Sequence, residues 1–260
     1  GSLKKDEYVF NASGCASCHS SPSATPEENL VLTGGRSFPS PFGTFYAPNI
    51  SMDKVNGIGA WSEKDFVNAV RNGVSPEGKH YYPSFPYTAY ANMTDQDITD
   101  LWVYFKSIPE SSKPSIGHDL PMYLRWRRPL AFWKLLNKRE SIIEFVSSDA
   151  TVQRGAYLVE TLGHCGECHT PRNFIGGLQY EYWLGGANNP AGRGMIPNIT
   201  SSKLTWETEE IVEYLASGFT PDFDVAGGHM AHVVENTSKL TEEDRIVIAE
   251  YLKAIPGVQK

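Results

Sequence analysis

Apolar residues recur at helical spacing in the later part of each half of the chain. Ile98, Leu101, Trp102 and Phe105 share one face of a helix that begins after Thr94, with Asp97 at its third position as an N-cap signature requires. Ile248 and Leu252 follow Thr241 and Asp244 in the same arrangement, and Pro109 and Pro256 stop the two helices. Ser62 caps a further helix carrying Phe66, Ala69 and Val70, which Gly73 ends. Shorter helices are expected over Tyr8 to Ala12 and Ala156 to Leu162. Nowhere is the apolar–polar alternation of a half-buried strand sustained. The helices are separated by long Gly/Pro/Ser-rich loops, notably 20–48 and 170–197. Loops of that length do not make a core of their own, so the pattern asks for something else to serve as one.

The chain also repeats itself. Ala47-Pro48-Asn49-Ile50 matches Ile196-Pro197-Asn198-Ile199, and Trp61 with its acidic helix start matches Trp206. Asn72-Gly73-Val74-Ser75-Pro76 matches Ser217-Gly218-Phe219-Thr220-Pro221, and Thr94 to Pro109 matches Thr241 to Pro256. A period this long means tandem domains and not a solenoid. The expected division is a first domain over 1–112, a connecting segment over 113–150 and a second domain over 151–260.

Each half opens on the same motif, Cys15-Ala16-Ser17-Cys18-His19 and Cys165-Gly166-Glu167-Cys168-His169, and the two motifs use all 4 cysteines. Cys-x-x-Cys-His is the haem-attachment signature: two thiols add to the two vinyl groups of one haem, and the adjacent histidine lies under the iron. A zinc site would need further Cys or His at ligand spacing. A thioredoxin-like redox pair does not call for the histidine. The motifs predict two covalently bound haem c groups, held by Cys15, Cys18, Cys165 and Cys168, with His19 and His169 as proximal iron ligands. A large apolar cofactor in each half is the missing core of the long loops.

With these residues the chain resembles the class I cytochrome c domain, and more closely the dihaem c-type cytochromes that accept electrons from bacterial dehydrogenases. The resemblance runs from Tyr8 to Pro256. It is carried most specifically by Gly163 to Asn173, by Pro83-Ser-Phe-Pro-Tyr-Thr88 and by His118-Asp-Leu-Pro121. It implies a mostly α fold of two tandem class I domains, small helices and long loops wrapped around the haems. It further implies a periplasmic location and electron transfer from a dehydrogenase towards a downstream cytochrome or respiratory oxidase.

The distal iron ligands come from 5 methionines and 7 histidines. A methionine thioether raises the reduction potential relative to a second histidine. Met230, in the Gly-rich loop Ala226-Gly-Gly-His-Met just before the final helix, stands where class I cytochromes place their methionine; His229, His232 and Met195 are its rivals. Counting from Trp61 and Trp206, the position matching Met230 in the first half is Phe85, which cannot ligate iron. Met93 is the nearest substitute there, its counterpart in the second half being Leu240. His80, Met52 and an open iron are the alternatives. Arg36, Arg193, Trp61 and Trp206 are candidates to meet haem propionates. Asn49 and Asn198 are expected to organise the turns after the prolines.

A formal charge of −7 argues against nucleic acid as a partner. Yet 121–139 carries Arg125, Arg127, Arg128, Lys134, Lys138 and Arg139 and no acid, among Trp, Tyr, Phe and Leu. This segment reads as a helix packed between the domains, or as a docking surface for the electron donor or an anionic membrane. No apolar run reaches the ~18 residues of a membrane span. Gly1-Ser2 reads as a remnant of cloning, so an export signal or membrane anchor is expected to have been removed. The functional expectation is an electron-transfer protein without substrate turnover. The competing one is a dihaem enzyme of peroxidase or thiosulfate-oxidising type, with an open iron in the first half.

Overall fold

A computed structural model describes residues 4–25, 28, 30–137, 149–192 and 194–259. Lys138, Arg139 and Arg193 of the sequence reading lie outside the described residues. The chain divides into two compact units, the first comprising Gly1–Phe10, Cys15–Lys138 and Pro190–Arg193, the second Asn11–Gly14, Arg139–Asn189 and Gly194–Lys260.

Helix α1 (Lys5–Ala12), of which Lys5–Phe10 belong to the first unit, leads into α2 (Cys15–His19), followed in that unit by α3 (Glu63–Asn72), α4 (Tyr87–Tyr90) and α5 (Asp95–Phe105). The caps are those the residues demand. Ser62 Oγ accepts from Asp65 N while the Asp65 carboxylate accepts from Ser62 N, closing a capping box. Gly73 ends α3 at φ 59°, where a Cβ would run into the Tyr87 ring. Thr94 Oγ1 accepts from Asp97 N at 3.1 Å at the head of α5. The apolar face of α5 then closes the core: Phe10 meets Tyr104 and Phe105 at 4.7 and 5.8 Å, and Phe66 meets Trp102 and Phe105 at 5.0 and 5.4 Å.

Two features depart from the sequence reading. The loop over 20–48 contains an antiparallel hairpin, β1 (Ser37–Ser40) paired with β2 (Gly43–Tyr46), Ser37 opposite Tyr46 and Ser40 opposite Gly43. Its pairs are too few and too rich in Pro and Gly to show an alternating pattern. The part of the connecting segment that is described, 113–137, packs as an extension of the first unit. Thr44 and Asp119 exchange backbone hydrogen bonds, and Phe45, Tyr82 and Leu120 form a buried cluster covered by Phe38, Phe42, Leu124 and Leu130. His118 stacks edge-on against Phe45 and Tyr82 and accepts from Tyr46 N at 3.1 Å. Helix α6 (Pro129–Asn137) is anchored by Lys134, whose Nζ donates to the carbonyls of Asn72 and Gly73 at 2.6 and 2.7 Å. Burial pushes the Lys134 pKa down to about 8.

The second unit holds α7 (Ala150–Ala156), α8 (Gly166–His169), α9 (Thr208–Ser217), α10 (His229–Thr237) and α11 (Glu242–Ala254), with a two-residue pair β3 (Ala187–Asn188) and β4 (Met195–Ile196) between α8 and α9. Thr241 Oγ1 caps α11 through Asp244 N. Arg154 grips the Asp244 carboxylate with Nε and Nη2 at 3.0 and 2.7 Å, tying α7 to α11. The two helices cross on Gly155, where a Cβ would overlap the Val247 carbonyl and crowd Tyr251. Leu158, Val159, Leu162, Ile248, Ala249 and Leu252 fill the core around this crossing.

The crossing gives a sharp prediction. Gly155→Ala should destabilise the second unit by about 2 kcal/mol, overpacking outweighing the ~1 kcal/mol gain in helix propensity. Gly117→Ala, where a Cβ meets nothing within 4 Å, should leave the urea unfolding midpoint in place. An unchanged or raised midpoint for Gly155→Ala would show that the helices can part without cost.

Candidate functional site

The two motifs are built by the same local logic. In α2, Cys15, Cys18 and His19 lie at i, i+3 and i+4, so both thiols and the imidazole share one helical face. In the second unit the chain enters through a π-helical turn, Tyr157–Leu162, then Gly163 and Cys165 donate back to the carbonyls of Leu158 and Val159. His164 stands at φ 40° where the first copy has Gly14 at φ 62°, and its Nδ1 bonds the Leu162 carbonyl at 2.9 Å. His164 closes this turn. Gly166 inside the motif is required by Trp183, whose ring would overlap a Cβ there.

The histidine of each motif is fixed from behind. His19 Nδ1 lies 2.8 Å from the Pro48 carbonyl and His169 Nδ1 lies 2.8 Å from the Pro197 carbonyl. A carbonyl only accepts, so Nδ1 carries the proton and the Nε2 lone pair is left for a metal. Burial lowers both histidine pKa values, the carbonyl opposing it in part, so the rings are neutral as ligands must be. The repeated Pro-Asn-Ile blocks thereby acquire a purpose that side-chain chemistry did not reveal, because the acceptor is a backbone oxygen. Asn49 and Asn198 organise these turns as expected. Asn49 Nδ2 donates to the Ser111 and Lys113 carbonyls at 2.7 and 2.8 Å, and its Oδ1 accepts from Ser51 N. Asn198 makes the matching bonds to the Val258 carbonyl and from Thr200 N. Gly34 N and Gly186 N donate to the carbonyls of His19 and His169, closing the loops behind the motifs.

Burial, reinforced in each pair by the neighbouring cysteine, pushes the Cys15 and Cys165 thiols up to about 12. These are not the depressed thiolates of a redox pair. Among the described residues no three His, Cys, Asp or Glu side chains converge to hold a metal ion, so a zinc centre has no ligand set. Two thiols and a backbone-anchored imidazole on one face suit a covalent haem c in each unit.

The distal candidates are placed as follows. Met230 is half-buried in the first turn of α10, which starts after Gly228 at φ 56°, so this position is helical and not the loop expected. Met93 is buried, 3% exposed, and its carbonyl accepts from Arg71 Nη2 at 2.7 Å. Its counterpart Leu240 is also buried and accepts from Arg245 at 2.5 Å. Phe85 is half-buried among the rings of Tyr81, Tyr87 and Tyr90. His80 Nδ1 faces Lys134 Nζ at 3.0 Å. With the ammonium as donor, the His80 proton sits on Nε2, the nitrogen a distal iron would need. Of the remaining candidates Met195 and His229 are exposed, Met52 is half-buried, and His232 pairs with Glu235 at 3.3 Å. Arg36, Trp61 and Trp206 are half-buried, Trp206 edge-on to Tyr214 at 5.3 Å.

One buried group was not legible at all. Tyr251, at the place of Tyr104 in the first unit, donates to Glu160 and accepts from Trp183 Nε1 at 3.1 Å. Burial, then the Glu160 charge, raises its pKa far above the ordinary range. At the position of Glu160 the first unit has Phe10, which packs on Tyr104 instead.

Comparison with known proteins agrees with this geometry. Residues 7–109 match the Cytochrome c family. The chain is 51% identical over 259 residues to a "Diheme cytochrome c-type" protein of Cereibacter sphaeroides, covering 100% of this chain and 88% of that protein. It is 33% identical over 265 residues to the fructose dehydrogenase cytochrome subunit of Gluconobacter japonicus, covering 98% of this chain and 53% of the relative. It is 34% identical over 276 residues to the cytochrome c subunit of the quinone-type alcohol dehydrogenase of Gluconobacter oxydans, covering 98% and 55%. The chain thus spans about half the length of these two dehydrogenase subunits. Mostly helical, duplicated and carrying two covalently bound haem c groups, the chain belongs to the dihaem c-type cytochromes.

Proposed function

We propose that the chain conducts electrons from a dehydrogenase towards a downstream cytochrome or oxidase in the periplasm. One haem is held by Cys15, Cys18 and His19 and the other by Cys165, Cys168 and His169. The observation that carries this reading is the duplicated imidazole-to-proline-carbonyl bond, 2.8 Å in both units. Each bound haem supplies a one-electron couple. The protein's part is to fix its geometry. The carbonyls of Pro48 and Pro197 hold the imidazoles in one tautomer and one orientation. Asn49 and Asn198 keep those carbonyls in place. The dehydrogenase as donor is supported by relatives whose names make them cytochrome subunits of fructose and alcohol dehydrogenases.

Met230 and Met93 complete the two irons in this reading. Met93 is the one fully buried methionine, Met122 and Met195 being 84% and 70% exposed. Thioether ligation keeps the potentials in the range a respiratory acceptor needs. No helix among the described residues is long and apolar enough to cross a membrane. Membrane association through 121–139 belongs to the same proposal, its described part presenting Met122, Tyr123, Trp126 and Phe132 to solvent.

The central test is haem stoichiometry. Cys15→Ser/Cys18→Ser and Cys165→Ser/Cys168→Ser should each halve the covalently bound haem measured as the pyridine haemochrome; retention of both haems in either variant would overturn the attachment sites. Carbon monoxide added to the reduced parent protein should leave both absorption bands unmoved, whereas binding at one iron would argue for an open site and against a pure electron carrier.

Leucine replacements separate ligation from packing. Met230→Leu should convert one ferric haem from low to high spin by EPR, and Met93→Leu the other. Leucine fills the methionine volume, so a merely packing role would survive the exchange. A low-spin spectrum in Met93→Leu would remove Met93 from the iron.

A further inference from the structure

The repeat that aligns Trp61 with Trp206 also aligns the turn after α3 with the turn after α9. In the first unit Tyr81 N donates to the Gly73 carbonyl at 2.7 Å, Ser75 N to Lys79 at 2.9 Å and Gly78 N to Ser75 at 2.9 Å. In the second, Ala226 N donates to Gly218 at 2.8 Å, Thr220 N to Asp224 at 2.9 Å and Phe223 N to Thr220 at 3.0 Å. The backbones coincide bond for bond, and the left-handed position is Gly78 at φ 75° in one turn and Phe223 at φ 63° in the other.

A phenylalanine there is a conformational loss, because left-handed backbone crowds the Cβ of a bulky residue. Nothing within the fold returns it: Phe223 is 95% exposed. Its neighbours Phe219 and Val225 are 57% and 59% exposed, and the turn borders a cavity of about 300 Å³ lined by Gly218, Val225, Ala226, Ala231 and Val234. An unfavourable backbone state that places an aromatic ring in water points outside the chain.

The first unit shows what this turn can receive. There α6 lies over it, with the Lys134 ammonium on the carbonyls of Asn72 and Gly73, on His80 Nδ1 and, at 4.5 Å, on the Tyr87 ring. The matching carbonyls of the second unit belong to Ser217 and Gly218, and Val225 replaces His80. Charge favours the same kind of visitor. The second turn is rimmed by the exposed carboxylates of Glu213, Asp222, Asp224 and Glu235, the last paired with His232. The covering segment of the first unit is basic, with Arg125, Arg127, Arg128 and Lys134.

We propose that the 216–226 turn of the second unit is a docking surface for a basic amphipathic helix of a partner protein, a lysine or arginine side chain reaching the Ser217 and Gly218 carbonyls while Phe219, Phe223 and Val225 take up its apolar face. This is helix-in-groove recognition, with the mode of contact already built once within the chain. The acidic rim disfavours an anionic lipid surface as the occupant. The proposal does not rest on the haem ligands.

The test uses the intact haem-loaded protein and a fluorescent, lactam-stapled peptide of residues 125–137, the segment that occupies the equivalent place in the first unit. Stapling removes the nucleation cost of so short a helix. Anisotropy titration should give saturable binding that weakens about tenfold or more in Phe223→Gly and with a peptide carrying Lys134→Ala. The melting temperature of Phe223→Gly should hold or rise, since glycine relieves the left-handed strain. No binding, equal binding to parent and Phe223→Gly, or a lowered melting temperature in that variant would each overturn the proposal. Concentration-dependent dimers that Phe223→Gly abolishes would make the occupant a second copy and overturn the assignment to a partner.

Discussion

The bond from an imidazole Nδ1 to a proline carbonyl, 2.8 Å in each unit, is the constraint around which the rest is arranged. A histidine that must offer one nitrogen has to commit the other, and a backbone oxygen commits it without adding a charge beside the cofactor. Proline has no N–H of its own to satisfy, so its residue can serve the acceptor role alone. The carbonyl must then be held, which is the work of the asparagine that follows: Asn49, 3% exposed, bonds three backbone groups at once. The glycines that bring the strand close to the histidine complete the frame. Gly34, at φ 73°, packs so tightly on Ala47 and Pro48 that a Cβ would overlap their backbone.

Because this frame around the motif histidine is made of backbone oxygens, glycines and asparagines, it is indifferent to most side chains and recurs in both units almost unchanged. Elsewhere the units rely on side chains, and there the copies part. Phe85 stands where Met230 does, Met93 where Leu240 does, and Phe10 where Glu160 does. Ring packing of Phe10 on Tyr104 becomes a hydrogen-bonded chain of Trp183, Tyr251 and Glu160 in the second unit. A half-buried carboxylate ahead of one haem-attachment motif and an aromatic ring ahead of the other make two different environments out of one fold.

Much of this was legible in the residues. Ser62, Thr94 and Thr241 cap their helices and Gly73 ends one as the pattern dictates, since capping is decided by neighbours three residues away. The motifs announced their chemistry because thiol and imidazole spacing is local. What escaped was decided at long range or by backbone. The hairpin Ser37–Tyr46 is too short to show alternation. The stretch 113–137 looked like a connector, yet His118 and Leu120 are bound into the first unit by Phe45 and Tyr82. Gly227-Gly228 read as loop, but Gly228 at φ 56° is the turn that starts α10 and sets Met230 in a helix.

The segment 113–137 also explains why the two turns after α3 and α9 diverged. In the first unit the ammonium of Lys134 satisfies the helix-end carbonyls and covers the turn, so the left-handed position can be a glycine with nothing to present. The second unit has the same carbonyls and the same backbone path without such a segment among its described residues. A turn that is covered by its own chain is free to be plain, whereas the other carries three exposed apolar side chains on a strained backbone. Duplication supplied two copies of one surface; covering the first from within left the second as the copy that could specialise in contacts with other molecules.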